Sequence, residues 1–399
     1  MEQRTPNKWF VMIQSKKKFA LVLDVGTTGI KAFVFDKEGN IIVKANRAID
    51  EIGLHQGHVE QDPSEIINLA KQVLKEVVRV SKKNEDEFVG ISITNQRETI
   101  IAWDKKTSWP FYPAIVWKDT RTREQCQILE KQFGGTVLQK TGLPILPYFS
   151  ASKIGWLMDN IPEVKFAAEN NCLACGTVDA WLLWNLTEEK VFFTDETNAT
   201  RTLLCNIKTK QLDDELLSIF NVKKEILPEI KKTQSHFGNL KKEILGFSLP
   251  ILAVCGDQQA SLYAAGIEIG TTKVTYGTGT FIMQIIGNDF DLHDGFFTTL
   301  TASGENYAIE AKVGRGAKEV LKVLADKQAL EKCLKEIAID VDKIIKKLPY
   351  KPTKIIIDGG VMRDGIVGKL QQEISGIKIR EQKIFDGTAL GAARLILRS

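Results

Sequence analysis

Three short glycine-containing stretches follow apolar runs that have the length and composition of strands. They are Asp24-Val25-Gly26-Thr27-Thr28-Gly29, Tyr276-Gly277-Thr278-Gly279-Thr280 and Asp358-Gly359-Gly360. Glycine lets backbone N–H groups approach a phosphate closely, and threonine hydroxyls add further donors. One such turn could be an ordinary hairpin, but three of them at strand ends indicate a nucleotide site. The pattern differs from the Gly-Lys-Ser/Thr loop that leads into a helix in P-loop proteins.

Two aspartates are candidates for chemistry on a phosphoryl group. Asp257 follows the apolar run 251–256, so its carboxylate would emerge at a sheet edge and could accept the proton of an attacking alcohol. It could instead cap the helix predicted over 258–265. Asp24 stands at another strand end, where a carboxylate could hold the water shell of Mg²⁺, which prefers few protein carboxylates plus substrate phosphates. Asp257 is a second candidate for contact with the metal.

The elements that must position these residues follow in a regular order. Periodicity predicts strands over 19–24, 31–36 and 41–47, a helix beginning at Pro63 after the cap residue Asp62, and a strand over 88–94. This βββαβ order describes an antiparallel meander covered by a helix. A looser version follows, with strands predicted over 251–256, 272–276, 281–286 and 354–358. The repetition predicts two α/β lobes built from one duplicated unit, with a boundary near residues 249–250.

The bulk composition is that of an ordinary folded protein. The chain has 399 residues, of which 43% are hydrophobic and 26% charged, and this length leads us to expect two domains. The formal net charge of +4 and the scattered lysines do not indicate a nucleic-acid binder. No apolar run approaches the roughly 18 residues of a membrane helix, and residues 1–18 lack a signal-peptide core. We therefore expect a cytoplasmic protein that binds neither nucleic acid nor membrane.

The three glycine-containing turns resemble the two phosphate loops and the adenosine loop of the actin/Hsp70/sugar-kinase superfamily. Within it, the sequence resembles the FGGY family of carbohydrate kinases, most closely the branch that phosphorylates glycerol. The resemblance runs from about residue 19 to residue 395 and rests on the stretches 94–99 (TNQRET), 115–117 (IVW), 147–153 (PYFSASK), 176–182 (GTVDAWL), 197–202 (TNATRT), 256–260 (GDQQA) and 388–393 (TALGAA). It implies two actin-like (ribonuclease H-like) α/β lobes, each with a βββαβα core, and an ATPase cleft between them.

The resemblance also implies a division of the chain and a set of ligands. Residues 1–18 would be an N-terminal extension, 19–249 a polyol-binding lobe with the first phosphate loop, and 250–399 a shortened nucleotide-binding lobe. ATP and Mg²⁺ are the implied cofactors and glycerol the implied acceptor, and the family allows a homodimer.

Site residues are implied where this sequence matches the family motifs. The implied polyol-binding residues are Arg97, Glu98, Trp117, Tyr148, Asp257, Gln258 and Phe281, with Asp257 as the catalytic base. The implied ATP-binding residues are Thr27, Thr28, Gly29, Lys31, Gly277, Thr278, Gly316, Gly360 and Asp364, and the implied metal-binding residues are Asp24, through water, and Asp257. Without the resemblance, Arg97 and Glu98 would be an adjacent charged pair in a solvated loop, and Trp117 a core residue.

The chain departs from the family pattern in its second half. Nothing matches the Gly/Pro/aromatic-rich segment, roughly G-L-G-A-P-Y-W, that precedes the adenosine loop, and a Lys/Glu-rich helix is predicted over 329–347 instead. Lys31 stands where the family often has arginine. Lysine keeps the positive charge but lacks the planar set of hydrogen-bond donors of a guanidinium group. The alternatives to a glycerol kinase are therefore a kinase of another short polyol or sugar, and a weakened polyol- or nucleotide-binding protein. An actin- or chaperone-like ATPase fits less well, because neither has such an acceptor pocket.

Overall fold

The computed structural model describes residues 18–53, 57–276, 279–324, 326–359, 365–382 and 386–397. Its strands are β1 (Phe19–Val25), β2 (Gly29–Asp36), β3 (Ile41–Ala48), β4 (Glu60–Gln61), β5 (Phe88–Asn95), β6 (Ile100–Asp104), β7 (Ala114–Ile115), β8 (Leu173–Thr177), β9 (Phe193–Asp195), β10 (Cys205–Asn206), β11 (Gln211–Leu212), β12 (Glu229–Lys231), β13 (Ile251–Gly256), β14 (Thr272–Tyr276), β15 (Thr280–Gly287), β16 (Phe297–Leu300), β17 (Tyr307–Val313), β18 (Lys354–Asp358) and β19 (Lys378–Glu381). Its helices are α1 (Pro63–Ser81), α2 (Arg123–Thr141), α3 (Ser150–Asn160), α4 (Pro162–Glu169), α5 (Val178–Leu186), α6 (Glu196–Ala199), α7 (Asp214–Ile219), α8 (Lys242–Leu245), α9 (Asp257–Ala265), α10 (Ala317–Val323), α11 (Lys327–Ile345), α12 (Ile366–Ser375) and α13 (Gly387–Leu397). Within these residues, no helix combines the length and the apolar character needed to cross a bilayer.

The first sheet has the strand order β3-β2-β1-β5-β13. β1 pairs antiparallel with β2 and β2 with β3, which confirms the predicted meander, and β5 runs parallel to β1. β13 pairs in parallel with β5. The prediction that placed this strand in the second lobe is therefore wrong, because its hydrogen bonds make it the fifth strand of the first sheet. The first sheet continues past the expected limit at residue 249.

The second sheet repeats this order. In β16-β17-β15-β14-β18-β19, the strands β14, β15 and β17 form an antiparallel meander, and β18 and β19 add in parallel beside β14. Both sheets thus have the order 3-2-1-4-5, as the predicted duplication requires, and β16 is added outside β17. The predicted strands 272–276, 281–286 and 354–358 are present, whereas β16 and β17 were not predicted.

Helices cover both faces of the first sheet. α1 begins as predicted, with the Asp62 carboxylate accepting the Ser64 backbone N–H at 2.8 Å and Pro63 at the first helical position. Its apolar stripe joins one face of the sheet in a shared core. On the other face, α9 and α13 pack against the side chains of Val22 and Phe33. The helix that begins at Asp257 therefore packs beside the helix formed by residues 387–397 on this face of the sheet.

A smaller sheet, β4-β7-β6-β8, is formed by residues that lie between strands of the first sheet in the chain, and it has a core of its own with helices α2, α3 and α4. Trp117 lies shortly after β7, and Tyr148 lies shortly before α3. The smaller sheet therefore brings aromatic side chains from distant parts of the sequence toward the loop after β5.

The contact between α9 and α13 requires glycine at position 391. A Cβ atom built on Gly391 would lie 1.7 Å from the Ala260 carbonyl oxygen, far inside van der Waals contact. Since the obstructing atom belongs to the backbone, no side-chain rotation can relieve the clash.

We predict that Gly391→Ala lowers the free energy of unfolding by about 2 kcal/mol or more, because the two helices must move apart in a packed core. Gly135→Ala is the matched control. Gly135 lies inside α2, where a Cβ meets nothing within 4 Å. The higher helix propensity of alanine should therefore raise the free energy of unfolding of Gly135→Ala by about 0.5–1 kcal/mol. Urea denaturation followed by circular dichroism measures both, and equal transitions for the two variants would contradict the proposed packing.

Candidate active site

The predicted base and the predicted polyol-binding pair meet at the carboxyl ends of two neighbouring parallel strands. Asn95 of β5 is paired with Gly256 of β13, so the residues that follow them emerge side by side. Asp257 Oδ1 lies 3.4 Å from Arg97 Nε, and Glu98 Oε1 lies 3.9 Å from the same nitrogen. The structure therefore brings together the three charged residues on which the polyol-site prediction depends.

Asp257 is the first residue of α9, and Gly256 is the N-cap. Its carboxylate accepts the backbone N–H of Gln258 at 2.7 Å and also faces Arg97. Burial raises the pKa of Asp257 to about 6, with Arg97 acting to lower it and Glu98 to raise it. A carboxylate with a raised pKa, close to partners that fix its orientation, is suited to accept a proton.

Glycine at position 256 gives Arg97 the space it occupies. A Cβ atom at this position would lie 2.8 Å from Arg97 Cδ and 2.9 Å from Gln259 Oε1. The stretch 256–260 therefore supplies both the aspartate and the room for the arginine beside it.

Glu98 occupies a backbone conformation that non-glycine residues rarely adopt. Its φ is 63°, and the Thr99 N–H donates to the Arg97 carbonyl at 2.8 Å across this tight turn. Ser150 Oγ donates to the Glu98 carbonyl at 3.1 Å, and Arg201 Nε donates to Glu98 Oε1 at 2.6 Å. These bonds hold the Glu98 carboxylate inward despite the strained backbone, a cost that proteins usually accept at functional sites.

Glu310 and Arg201 complete this charged cluster, although sequence reasoning gave neither a role. Glu310 accepts two hydrogen bonds from the Arg97 guanidinium, at 2.8 and 3.1 Å, and a third from Arg201 Nη2 at 3.2 Å. Burial alone would raise the pKa of Glu310, but Arg201 and Arg97 together lower it to about 2. Two arginines and two glutamates, each no more than 3% exposed, thus form a buried network between the sheets.

The network limits how Arg97 can bind a substrate. Both terminal nitrogens of its guanidinium bind Glu310, and one of them also lies 3.3 Å from Gln259 Oε1. The Nε atom faces Asp257 and Glu98. A polyol hydroxyl would therefore meet the edge of Arg97 that Asp257 also faces.

The signals that could have identified the two missed residues differ. Arg201 lies in the stretch 197–202, which contributed to the family resemblance without a role for the arginine. Glu310 lies in YAIEAKV (307–313), where a charged residue occupies a position of an alternating strand pattern. That alternation was the available evidence for a strand presenting charge on one face.

Aromatic side chains line the site next to this cluster. The Trp117 and Tyr148 rings meet edge to face, with centroids 5.4 Å apart. Trp117 Nε1 donates to Thr27 Oγ1 at 2.8 Å, so the ring also joins the first glycine-containing turn. Burial raises the pKa of the Tyr148 hydroxyl well above its usual range, and Glu98 adds to this effect. Phe281 is the second residue of β15 and is partly exposed.

The first turn places Asp24 close to the same site. Asp24 lies in β1 opposite Lys31 of β2. Burial raises the pKa of Asp24 to about 7; Lys31 acts to lower it, while Asp257 and Asp386 raise it further. Lys31 Nζ lies 3.1 Å from Asp386 Oδ1, so this predicted phosphate-binding lysine is paired with an acid near α13.

Among the predicted nucleotide-binding residues of the second lobe, the structure describes Gly316. Gly316 precedes α10, and its N–H donates to Glu319 Oε2 at 2.8 Å. Gly359 has a φ of 111°, and a Cβ there would lie 2.3 Å from the Tyr276 carbonyl oxygen, so glycine is required. Lys273 and Ser261 bind the Asp358 carboxylate at 2.7 and 3.1 Å.

Four predicted nucleotide-binding residues lie outside the described residues: Gly277, Thr278, Gly360 and Asp364. The roles of Thr27, Thr28, Gly29 and Gln258 in binding likewise stay predictions.

We predict that Glu310→Gln lowers the free energy of unfolding by about 3 kcal/mol or more, because Arg97 and Arg201 would stay buried and charged after losing the carboxylate that they share. Glu336→Gln is the matched control, since Glu336 pairs with Arg315 where both side chains are 43% exposed. Surface pairs contribute only about 0–1 kcal/mol. Chemical denaturation of both variants tests this, and a loss for Glu310→Gln no larger than the control's would contradict the structural role of the network.

Comparisons with known proteins find relatives that match most of this chain. Residues 19–264 match the N-terminal domain of the FGGY family of carbohydrate kinases. A glycerol kinase from Aquifex aeolicus is 36% identical over 433 residues, covering 93% of this chain and 87% of that protein. One from Pseudothermotoga lettingae is 32% identical, covering 95% and 89%.

A solved structure shows the same fold. The crystal structure of Plasmodium falciparum glycerol kinase with ADP superimposes with a TM-score of 0.87 at 29% sequence identity, covering 94% of this chain and 88% of that one. Structures of xylulose kinases, such as that from Lactobacillus acidophilus with a TM-score of 0.83 at 20% identity, share the fold alone. The sequence match over residues 19–264 and these full-length similarities show that the chain belongs to the FGGY family of carbohydrate kinases.

Proposed function

We propose that this protein transfers the γ-phosphoryl group of ATP to glycerol, giving sn-glycerol 3-phosphate and ADP. The observation that supports this most directly is the 3.4 Å approach of Asp257 to Arg97 at the ends of β13 and β5. It puts a potential base next to the charged pair and the aromatic wall expected to hold a short polyol. The similar proteins named as glycerol kinases support the same acceptor.

In the proposed reaction, the terminal oxygen of glycerol forms a bond to the γ-phosphorus while the bond from that phosphorus to the β,γ-bridging oxygen breaks. The proton of the attacking hydroxyl passes to the Asp257 carboxylate, and ADP leaves with the bond's electron pair. Glu98 accepts a hydroxyl hydrogen bond, and Trp117 and Phe281 contact the carbon chain. Because phosphoryl transfer requires little covalent help from the protein, positioning provides much of the acceleration.

The acidic residues of the site fit a nucleotide-bound magnesium ion. Burial raises the pKa values of both Asp24 and Asp257, so a nearby dication would reduce the cost of ionising them. The described residues contain no group of three or more His, Cys, Asp and Glu side chains that could hold a metal ion. Mg²⁺ would therefore take most of its ligands from phosphate and water, with Asp24 contacting it through water and Asp257 nearby. When bound, it neutralises charge on the phosphates.

The chain's shortened second lobe motivates two alternatives, a kinase with another short polyol or sugar as acceptor and a weakened polyol- or nucleotide-binding protein. A cytoplasmic location and a homodimer also stay predictions.

We predict glycerol-dependent ADP release by the wild type, reduced roughly 10²–10⁴-fold in Asp257→Asn because the general base is lost. A coupled assay with glycerol, other short polyols, pentuloses and hexuloses measures the acceptor range. Asp159→Asn, at an exposed site on α3, is the control and should retain full activity. If another acceptor reacted faster, that acceptor would replace glycerol in this proposal. Glycerol binding without turnover would indicate a binding protein with weakened catalysis.

We predict that Trp117→Ala raises the Michaelis constant for glycerol more than that for ATP. Losing an aromatic contact of about 1–2 kcal/mol corresponds to roughly a 5- to 30-fold weaker interaction. Trp109→Ala is the control, since Trp109 is 70% exposed, and both constants should be unchanged in it. If Trp117→Ala affected ATP more strongly than glycerol, Trp117 would belong to the nucleotide site rather than the acceptor wall.

A further inference from the structure

Lys312 lies on the face of the second sheet that faces the candidate active site. It is paired directly with Phe281 across β15 and β17, and it stands two positions after Glu310 in the same strand. Since directly paired residues and alternate residues share a face, Glu310, Lys312 and Phe281 are presented together. The opposite face of β17, with Ile309 and Val313, packs in the core that includes α11.

The Lys312 side chain lies between the acceptor wall and the two phosphate loops implied by the family resemblance. Its Nζ atom is 5.3 Å from the centroid of the Trp117 ring, whose Nε1 is bound to Thr27 of the first loop. A Cβ atom at Gly279, in the second loop, would lie 3.7 Å from Lys312 Cε. The exposed ammonium group is therefore placed where the wall and both loops approach each other.

Arg97, Arg201 and Lys31 also bring positive charge to this part of the site. The Arg97 guanidinium binds Glu310 through both terminal nitrogens, and Arg201 binds Glu98 and Glu310. Lys31 is paired with Asp386. A phosphoryl group arriving at the acceptor would meet the carboxylate of Asp257, which repels it, so a positive charge on the acceptor side has a function there.

We propose that Lys312 binds the phosphoryl group on the acceptor side of the site, during its transfer and in the phosphorylated product. This inference rests on the proposed function, because it requires a neutral polyol to become a phosphate ester in this site. Glycerol carries no charge for an ammonium group to recognise, whereas its phosphate ester is an anion that can accept charge-assisted hydrogen bonds. The inference therefore predicts that Lys312 affects the affinity for glycerol 3-phosphate much more than the affinity for glycerol.

The test compares Lys312→Met, which keeps the apolar stem, with Lys312→Arg, which keeps the charge. Calorimetry measures the dissociation constant of glycerol 3-phosphate, and steady-state kinetics give the Michaelis constant for glycerol and kcat. We expect Lys312→Met to weaken glycerol 3-phosphate binding roughly tenfold or more and to lower kcat. The Michaelis constant for glycerol should change less than about twofold, and Lys312→Arg should restore most of the product affinity. Added potassium chloride should weaken product binding more in the wild type than in Lys312→Met.

Lys347→Met is the matched control, because Lys347 is exposed just after α11, the helix that covers the opposite face of the sheet. It should leave every constant unchanged. If Lys312→Met left product affinity unchanged, or weakened glycerol and glycerol 3-phosphate equally, Lys312 would only pack on Trp117 and the inference would be wrong. If the wild type neither released ADP with glycerol nor bound glycerol 3-phosphate, the proposed function would fail and this inference with it.

Discussion

A buried arginine–glutamate pair joins the two sheets of this protein at the candidate active site. Arg97 comes from the loop after β5 in the first sheet, and Glu310 comes from β17 in the second. Burying two charges is costly, and the attraction between them offsets that cost only when the geometry and the remaining hydrogen bonds are good. Here two parallel hydrogen bonds, with Arg201 as a further donor, fulfil that condition. The orientation of Arg97 toward Asp257 depends on this pair.

The same network explains why the acidic side chains of the site do not ionise equally readily. Glu310 is strongly stabilised as an anion by two guanidinium groups, whereas burial disfavours the ionised forms of Asp24 and Asp257. Carboxylates of the same site thus have opposite tendencies, because their partners differ. The Glu310 carboxylate holds the two arginines, and the aspartates keep the capacity to exchange a proton or respond to a cation.

The sequence predicted the elements with a clear period and missed β17, in which charged residues interrupt that period. The meander of β1, β2 and β3 and the helix α1 have regular apolar spacing and a cap residue at Asp62, so they were found. β17 contains Glu310 and Lys312 at alternate positions, which disguises a strand whose charged face meets the site. β13 was recognised as a strand but assigned to the wrong sheet, since a parallel strand has no local signal for its partner. Asp257 could be placed because a strand end needs only local information.

The close contact of α13 with α9 has a consequence for how the protein assembles. Residues 387–397 cover the same face of the first sheet as the helix that starts at Asp257, with Arg394 donating to the Ala264 carbonyl across 130 positions of sequence. Until that late segment has been synthesised, side chains such as Val22 and Phe35 lack the part of their apolar cover that α13 provides. Long-range contacts of this kind slow folding and leave hydrophobic surface open in the nascent chain. The first lobe is thus completed by a segment that follows the second lobe in the chain, so its core cannot be completed as soon as its own strands leave the ribosome.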